Sequence, residues 1–527
     1  MDNPFVQHAE MQLLRGAPDQ ALNAARMGLT VFPDSHELLS IAATCAERVG
    51  ELEFAVTCWR HLLELDPATA TAGNSLGLLL ERLQRPDEAE AAFRQALSIL
   101  PEDATLHANL GLLLENTGRL DEAERCLRHA LQRAPESAEI HSNLAGLLAR
   151  IDQVVEAEAL YRRAIALKPE FAVAHSNLGV LYAVLERNTE AEGAFRNALQ
   201  LEPDNLQGRM NLAQLLLALG RWPEAWPLYE SRSQVYAGAG TGPAAVPPPC
   251  PCWQGEALAG KSIVVLPEQG FGDEIQFARY LPWLKAQGPA RLTLVCRPRQ
   301  KALLQTLAGP DAVLALDEVG PALAGHDYWT FLLSLPLHAG STLEHLPPGP
   351  PYLFPDPVRI ERLVPQLTGE GLRVGLVWRG NPGHTNDAER SLPGLQTLAP
   401  LWAVPGVRFF SLQKGAQESV TPPPGQPLFD LAPLLGDMAD SAAALSQLDL
   451  LIAVDTSMVH LAGALGIPCW VLLPRYKTDW RWLQGRDDSP WYPATRLFRQ
   501  QRRGDWSAPV AVLADALREF AAARRVG

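Results

Sequence analysis

Six prolines fall 34 residues apart, at Pro33, Pro67, Pro101, Pro135, Pro169 and Pro203, and seven alanines keep the same step, at Ala21, Ala55, Ala89, Ala123, Ala157, Ala191 and Ala225. A fixed period of this length means helix–turn–helix units that each leave a hydrophobic face open and bury it by stacking into a solenoid. Proline lacks the backbone N–H and cannot continue a helix, so each one marks the end of a unit's second helix. In the unit at 173–206, Leu178, Gly179 and Tyr182 share one face of the first helix, and Ala191, Phe195 and Ala198 share one face of the second. Gly179 and Ala191 are small where the helices approach closely. The period predicts seven repeats over residues 3–234, the first being the weakest match and serving as a cap.

These units resemble the tetratricopeptide repeat (TPR), whose stacked helices form a groove suited to a polypeptide. Asn109, Asn143, Asn177 and Asn211 repeat at the same step, and His107, His141 and His175 precede three of them by two residues. A carboxamide both donates and accepts, which suits an extended peptide backbone. The competing expectation is that these asparagines bond neighbouring helix ends. The ladder stops at Ser75 and Ile41, so the first two repeats are not expected to take part.

At 527 residues the chain is too long for one core. A net charge of −14 argues against a nucleic-acid binder, which would carry basic stripes. The seven cysteines are scattered, and the close pair Cys250 and Cys252 has no second pair at zinc spacing. Met1-Asp2-Asn3-Pro4 opens with neither a basic nor an apolar leader segment, and no run reaches the ~20 apolar residues needed to span a bilayer. The expectation is a cytoplasmic protein with reduced thiols and no membrane span.

Residues 235–260, with a Gly-rich and then Pro-rich stretch at 236–252, predict a linker or junction. Short apolar runs then alternate with helical stretches. Ser262–Leu266, Arg291–Cys296, Arg373–Trp378, Arg408–Leu412, Leu450–Val454 and Cys469–Leu473 read as strands. This alternation predicts parallel sheets flanked by helices, in two Rossmann-like halves at 261–355 and 356–527 separated by the Pro-rich segment 347–358. Ligands of such sheets sit beyond the carboxyl ends of the strands.

The strongest motif is Asp455-Thr456-Ser457-Met458-Val459-His460, where a strand passes into a helix. Helix-start amides, the Thr456 and Ser457 hydroxyls and the His460 imidazole would together hold an anion. Equally, Asp455 or Thr456 could cap the helix. This stretch resembles the Asp-Thr-x-x-x-His segment of the bacterial heptosyltransferase-like GT-B glycosyltransferases. The likeness extends across 261–500 and takes in Glu268-Gln269-Gly270-Phe271-Gly272-Asp273, Trp378-Arg379-Gly380-Asn381 and Gln413-Lys414-Gly415. The whole chain resembles TPR-fused bacterial protein glycosyltransferases, some of which modify flagellin, and in layout it is similar to eukaryotic O-linked GlcNAc transferase.

The resemblance implies that Asp455, Thr456, Ser457 and His460 bind the diphosphate of a nucleotide-sugar, and that a carboxylate in the Gly-Asp turn, here Asp273, is the base. Asp273 also stands where a helix N-cap would. Gly270 and Gly272 let the backbone pass close to substrate, and Glu268 is a reserve carboxylate. Arg379, in a turn with Asn381, and Lys414 follow strand ends, and Arg390 closes the His384–Arg390 loop; these cations would offset the charge of a leaving diphosphate without a metal or other cofactor, though each could instead be a solvated surface group. The stretch from Asp479-Trp480-Arg481-Trp482 to Trp491-Tyr492 either lines a pocket or packs the last helix onto the second half.

The resulting expectation is a metal-independent enzyme that moves a sugar from a nucleotide-sugar donor to a Ser or Thr hydroxyl of a protein acceptor, flagellin among the candidates. Transfer to a lipid-linked or lipopolysaccharide acceptor is a competing expectation, and a TPR scaffold with a decayed transferase fold is another. Neither the sugar nor the nucleotide is legible.

Overall fold

The computed structural model describes residues 3–238, 248–347, 349–415, 425 and 427–525. Part of the linker expected at 235–260 therefore lies outside the described residues. The chain divides into two compact units, Met1–Pro203 and Asp204–Gly527.

The first unit is six antiparallel helix pairs, from Pro4–Leu14 with Pro18–Val31 to Ala172–Val184 with Asn188–Leu201. Each periodic proline sits one residue past the C-cap of a second helix: Pro101 follows Leu100, and Pro169 follows Lys168. The small positions mark the closest approaches. A Cβ on Gly77 would lie 2.4 Å from the Phe93 ring, and one on Gly179 would lie 2.7 Å from Phe195. Ala191, Phe195 and Ala198 are buried as the period requires. Met11 is 39% exposed, whereas Cys45, Leu79, Leu113, Leu147 and Leu181 at the same repeat position are buried against a preceding repeat.

Polar ladders run along the repeats. Arg85 pairs with Glu88 in its own first turn and with Glu53 of the preceding repeat, and Arg119 does the same with Glu122 and Glu90. Such exposed pairs contribute only about 0–1 kcal/mol each.

The seventh helix pair, Leu206–Ala218 and Trp222–Tyr229, completes the repeats and lies in the second compact unit. Aromatic packing joins it to the rest of that unit. Trp222 stacks on Trp491 with centroids 4.7 Å apart, Trp226 and Tyr229 meet Trp480 edge-on, and the Trp226 indole N–H donates to Ser341 O at 3.0 Å.

Among the described residues two all-parallel sheets follow. The first contains β1 (Ser262–Leu266), β2 (Arg291–Cys296), β3 (Ala312–Ala315) and β4 (Tyr328–Phe331) in the order β3-β2-β1-β4. The second contains β5 (Leu372–Val377), β6 (Val407–Ser411), β7 (Leu428–Asp430), β8 (Leu450–Val454), β9 (Cys469–Leu473) and β10 (Thr495–Arg499) in the order β10-β9-β8-β5-β6-β7. All six predicted strands are present; β3, β4, β7 and β10 are additions. The second sheet's core includes Leu376, Trp378, Ile452, Leu472, Trp506 and Leu517. The Pro-rich segment touches both halves, with Tyr352 N–H donating to Ala464 O at 3.0 Å and the Tyr352 hydroxyl donating to Ile275 O at 3.0 Å. Among the described residues no helix is long and apolar enough to cross a membrane.

Gly77→Ala is expected to lower the melting temperature, because overpacking costs about 1–3 kcal/mol. Gly193→Ala, on the helix Asn188–Leu201 with nothing within 4 Å of the added carbon, should raise stability by roughly 0.5–1 kcal/mol. Thermal unfolding of the two variants checks the opposite signs.

Candidate functional site

The site forms where turns from the two sheets of the second unit meet. After β1 the chain passes through Glu268–Gly270 into the helix Phe271–Phe277. After β8 it passes through Asp455 and Thr456 into the helix Ser457–Leu465. These two helix starts touch: a Cβ on Gly272 would lie 2.6 Å from His460 Cδ2 and 3.4 Å from Ser457 Cα. Only glycine at 272 lets the turns close.

Asp273 is not the N-cap expected from its neighbours. Gly270 is the N-cap, and Asp273 lies one turn in, its Oδ2 reaching back to accept from Gly270 N–H at 2.7 Å. Its Oδ1 accepts from the guanidinium of Arg481. Arg481 is buried and also holds both oxygens of Asp479, each 3.0 Å from Nη1. Glu268 is no reserve carboxylate at the mouth. It is buried in an ion pair with Arg232 at 2.9 Å, and burial raises its pKa above the ordinary value.

The caps expected of Asp455 or Thr456 do not form. Thr456 is the N-cap residue by backbone geometry, but its side chain makes no capping bond, and its Oγ1 is buried without a partner among the described residues. Burial and the Asp479 carboxylate push the Asp455 pKa up to about 6, against the pull of Arg390 and Arg481. His460 is 6% exposed, its Nδ1 is 3.1 Å from the Tyr492 hydroxyl, and its ring stacks on Trp482 at 5.5 Å. Burial, helped by Arg481, drives its pKa down to about 3. His460 is therefore neutral near pH 7 in the free protein.

The loop after β5 brings in Arg390, whose Nε is 3.5 Å from Asp387 Oδ1. His384 lies in the same loop and accepts at Nδ1 from Asn386 N–H at 3.1 Å. Its pKa is depressed by burial and by Arg390, and raised in part by Asp479, Asp387 and Asp273. Arg379 turns away from the cluster: its guanidinium donates to Leu392 O at 3.1 Å and Pro393 O at 2.5 Å, tying the loop's two ends together. Asn381 accepts from Gly383 N–H at 3.0 Å within a turn. Gln413 accepts from Trp378 and Arg379 N–H and donates to the carbonyls of Arg379 and Lys414, which stitches the ends of β5 and β6 together. Lys414 is exposed at that edge. A cavity of about 570 Å³ opens beside the loop, lined by Arg379, His384, Thr385, Asp387, Glu389 and Trp506 among others.

Asp273, Arg390, Asp455 and His460 are thus gathered with His384, Asp479 and Arg481. Asp479 and Arg481 belong, with three tryptophans, to the stretch expected either to line a pocket or to pack the last helix, and these two residues line the site. Those tryptophans do not pack the final helix. Trp480 contacts Trp226, Tyr229 and Phe277, Trp482 lies on His460, and Trp491 lies on Trp222. Among the described residues no three His, Cys, Asp or Glu side chains cluster as a metal site would.

In the first unit, Asn109, Asn143 and Asn177 are half-buried on first helices. Asn109 donates to Asn74 Oδ1 at 2.8 Å, so the ladder continues into an earlier repeat one residue out of phase. The histidines beside it are internal staples: His107 and His175 bond through Nε2 to the carbonyls of Pro101 and Pro169, at 2.7 and 3.0 Å. Asn211 is on a helix of the second unit and accepts from Gln207 at 2.8 Å.

The tetratricopeptide repeat family matches residues 43–104, 82–151 and 185–230, and the first ~230 residues are a TPR helical solenoid. Protein FlbA of Caulobacter vibrioides is 30% identical over 323 residues, covering 57% of this chain and 53% of that protein, so the match spans about half of the relative's length. Among solved structures, YrrB, described as a TPR protein with an unusual peptide-binding site, is 25% identical over 35% of this chain and 95% of its own, with a TM-score of 0.29. MamA is 19% identical over 31% of this chain and 96% of its own, with a TM-score of 0.28.

A buried neutral histidine has a pH signature. The folded pKa of His460 lies below the unfolded value near 6.5, so its contribution to stability is present above pH 6.5 and lost as pH falls toward 3. Asp455, raised to about 6, acts oppositely over part of that range: its contribution is present below about pH 4 and lost as pH rises through 6. Removing the imidazole isolates its share. Between pH 7.5 and pH 5, His460→Gln should lose less stability than the wild type by roughly 2 kcal/mol. Urea unfolding at the two pH values checks this.

Proposed function

We propose that this chain is a glycosyltransferase of the GT-B type that moves a sugar from a nucleotide-sugar to a Ser or Thr hydroxyl of a protein acceptor bound by the solenoid. The observation that carries this reading is the meeting of the Asp273 turn with the Asp455–His460 helix start. One sheet offers a carboxylate, and the other offers helix-start amides, the unpartnered Thr456 hydroxyl and the Arg390 guanidinium.

The acceptor oxygen forms a bond to the anomeric carbon while the bond from that carbon to the diphosphate breaks and the nucleotide leaves with the electron pair. Asp273 takes the hydroxyl proton. Each of its oxygens already accepts one bond, but an ionised carboxylate has about four acceptor positions, which leaves room for the acceptor hydroxyl. Fixed cations and amides offset the charge on the departing diphosphate, and the proposal includes no metal. Flagellin is one protein that would suit such an enzyme. A lipid-linked acceptor fits less well, because it gives the peptide-suited solenoid no task. A non-catalytic scaffold is the second reading, favoured by one observation: both Asp273 oxygens are engaged, one by Gly270 and one by Arg481.

At least one of UDP, GDP, ADP and CMP should raise the melting temperature; at a hundredfold excess over Kd the gain is about 2.7 kcal/mol. With that nucleotide and its sugars, Asp273→Asn should lower turnover by roughly 10²–10⁴ with nucleotide affinity, measured by calorimetry, near normal. No nucleotide shift together with unaltered behaviour of the variant would favour the scaffold.

Asn143→Ala with Asn177→Ala should reduce transfer to a protein acceptor and leave donor hydrolysis without acceptor little changed. Equal losses in both rates would assign the asparagines to the shape of the solenoid.

A further inference from the structure

The turn that presents Asp273 is held from outside along its length. Gln269 has φ +57°, a left-handed conformation that a non-glycine residue keeps only where its surroundings impose it. Its side chain donates to the Tyr229 hydroxyl at 3.1 Å, and its carbonyl accepts from the Arg297 guanidinium. Gln300 donates to Phe271 O at 3.0 Å.

The deepest of these ties starts at Arg232, the first residue of the helix after the seventh pair. Its side chain has no exposed surface. Nη2 donates to Glu268 at 2.9 Å and to Ser334 Oγ at 2.8 Å; Nη1 donates to Glu230 at 2.6 Å and to Tyr229 O at 3.2 Å; Nε points to Glu268 at 3.3 Å. Ser334 in turn donates to Glu230 at 2.8 Å, closing the network. A buried ion pair of this kind seldom stabilises more than an apolar pair of equal volume, because both charges lose their hydration. What it does supply is a fixed geometry.

We propose that Arg232 is a positioning residue for Asp273, acting through Glu268 to fix the turn at 268–273 in the form that aims the carboxylate. The proposal rests on the reading of Asp273 as the base. It adds a task for the last helix pair: Tyr229 and Arg232 stand one turn apart and hold successive residues, Gln269 and Glu268, of the same turn.

The test replaces the pair by apolar side chains, Arg232→Met with Glu268→Leu, in the full chain. The melting temperature should stay close to the wild-type value, because the apolar pair fills the space. Amide hydrogen exchange across 268–273 should quicken by roughly tenfold or more as the turn opens locally. Turnover should fall by about 10² with nucleotide affinity retained, since small misplacements of a reacting group cost that much. A preserved melting temperature with wild-type exchange would overturn the proposal. Should the double variant not fold, Glu268→Gln keeps the shape and an acceptor for Arg232 while removing the charge. It should show a smaller rise in exchange, and wild-type exchange there would also overturn the proposal. Exchange is read without any substrate, so a wild type that transfers no sugar would count against the transferase reading, and positioning would be judged on exchange alone.

Discussion

Arg481 has almost no contact with water, and a guanidinium in that position must find carboxylates or leave its charge uncompensated. It finds one two residues back, where Asp479 grips Nη1 with both oxygens, and another 208 residues away, where Asp273 meets Nη2. A pair this deeply buried adds little net stability, yet removing either partner is costly, commonly 3–5 kcal/mol. Its effect is on specificity of arrangement. The turn after β9 and the turn after β1 have one mutual register that satisfies the charge. The neighbours of Arg481 then point in different directions: Trp480 toward Trp226, Tyr229 and Phe277, and Trp482 onto His460.

Much of the architecture can be read from the chain because its causes are local. A proline one residue past the C-cap of each second helix, and a small residue where the two helices of a pair approach, leave a period that needs no tertiary knowledge. The six strands recognised are apolar runs with buried faces. The four that escaped notice are weak signals for physical reasons: β7 is three residues with an exposed end, β10 begins Thr-Arg at the sheet edge, and β3 and β4 are four residues each and only partly buried. Sequence spacing carries no information about a strand whose neighbours supply its burial.

The site was half legible. Gly270, Gly272 and Asp273, and the run from Asp455 to His460, lie where strand ends place them. Their partners do not follow from spacing. Nothing local reveals that Glu268 will meet Arg232 across 36 residues, that Arg379 will bond carbonyls of its own loop, or that Asn109 will pair with Asn74 and not with a residue in phase. Charged residues announce that something must neutralise them. Which residue does so is a tertiary fact.

The helix-pair slot filled by Ala25, Trp59, Phe93, Leu127, Tyr161 and Phe195 is filled in the seventh repeat by Tyr229. In the earlier repeats this side chain is buried within the solenoid. In the seventh its hydroxyl accepts from Gln269 and its ring lies against Trp480. Interior repeats are interchangeable modules, and evolution could add or delete them in steps of 34 residues to lengthen or shorten the solenoid. The last repeat is outside that freedom: it is committed to one copy and one position, and its sequence should drift with the two sheets it packs beside rather than with its sister repeats.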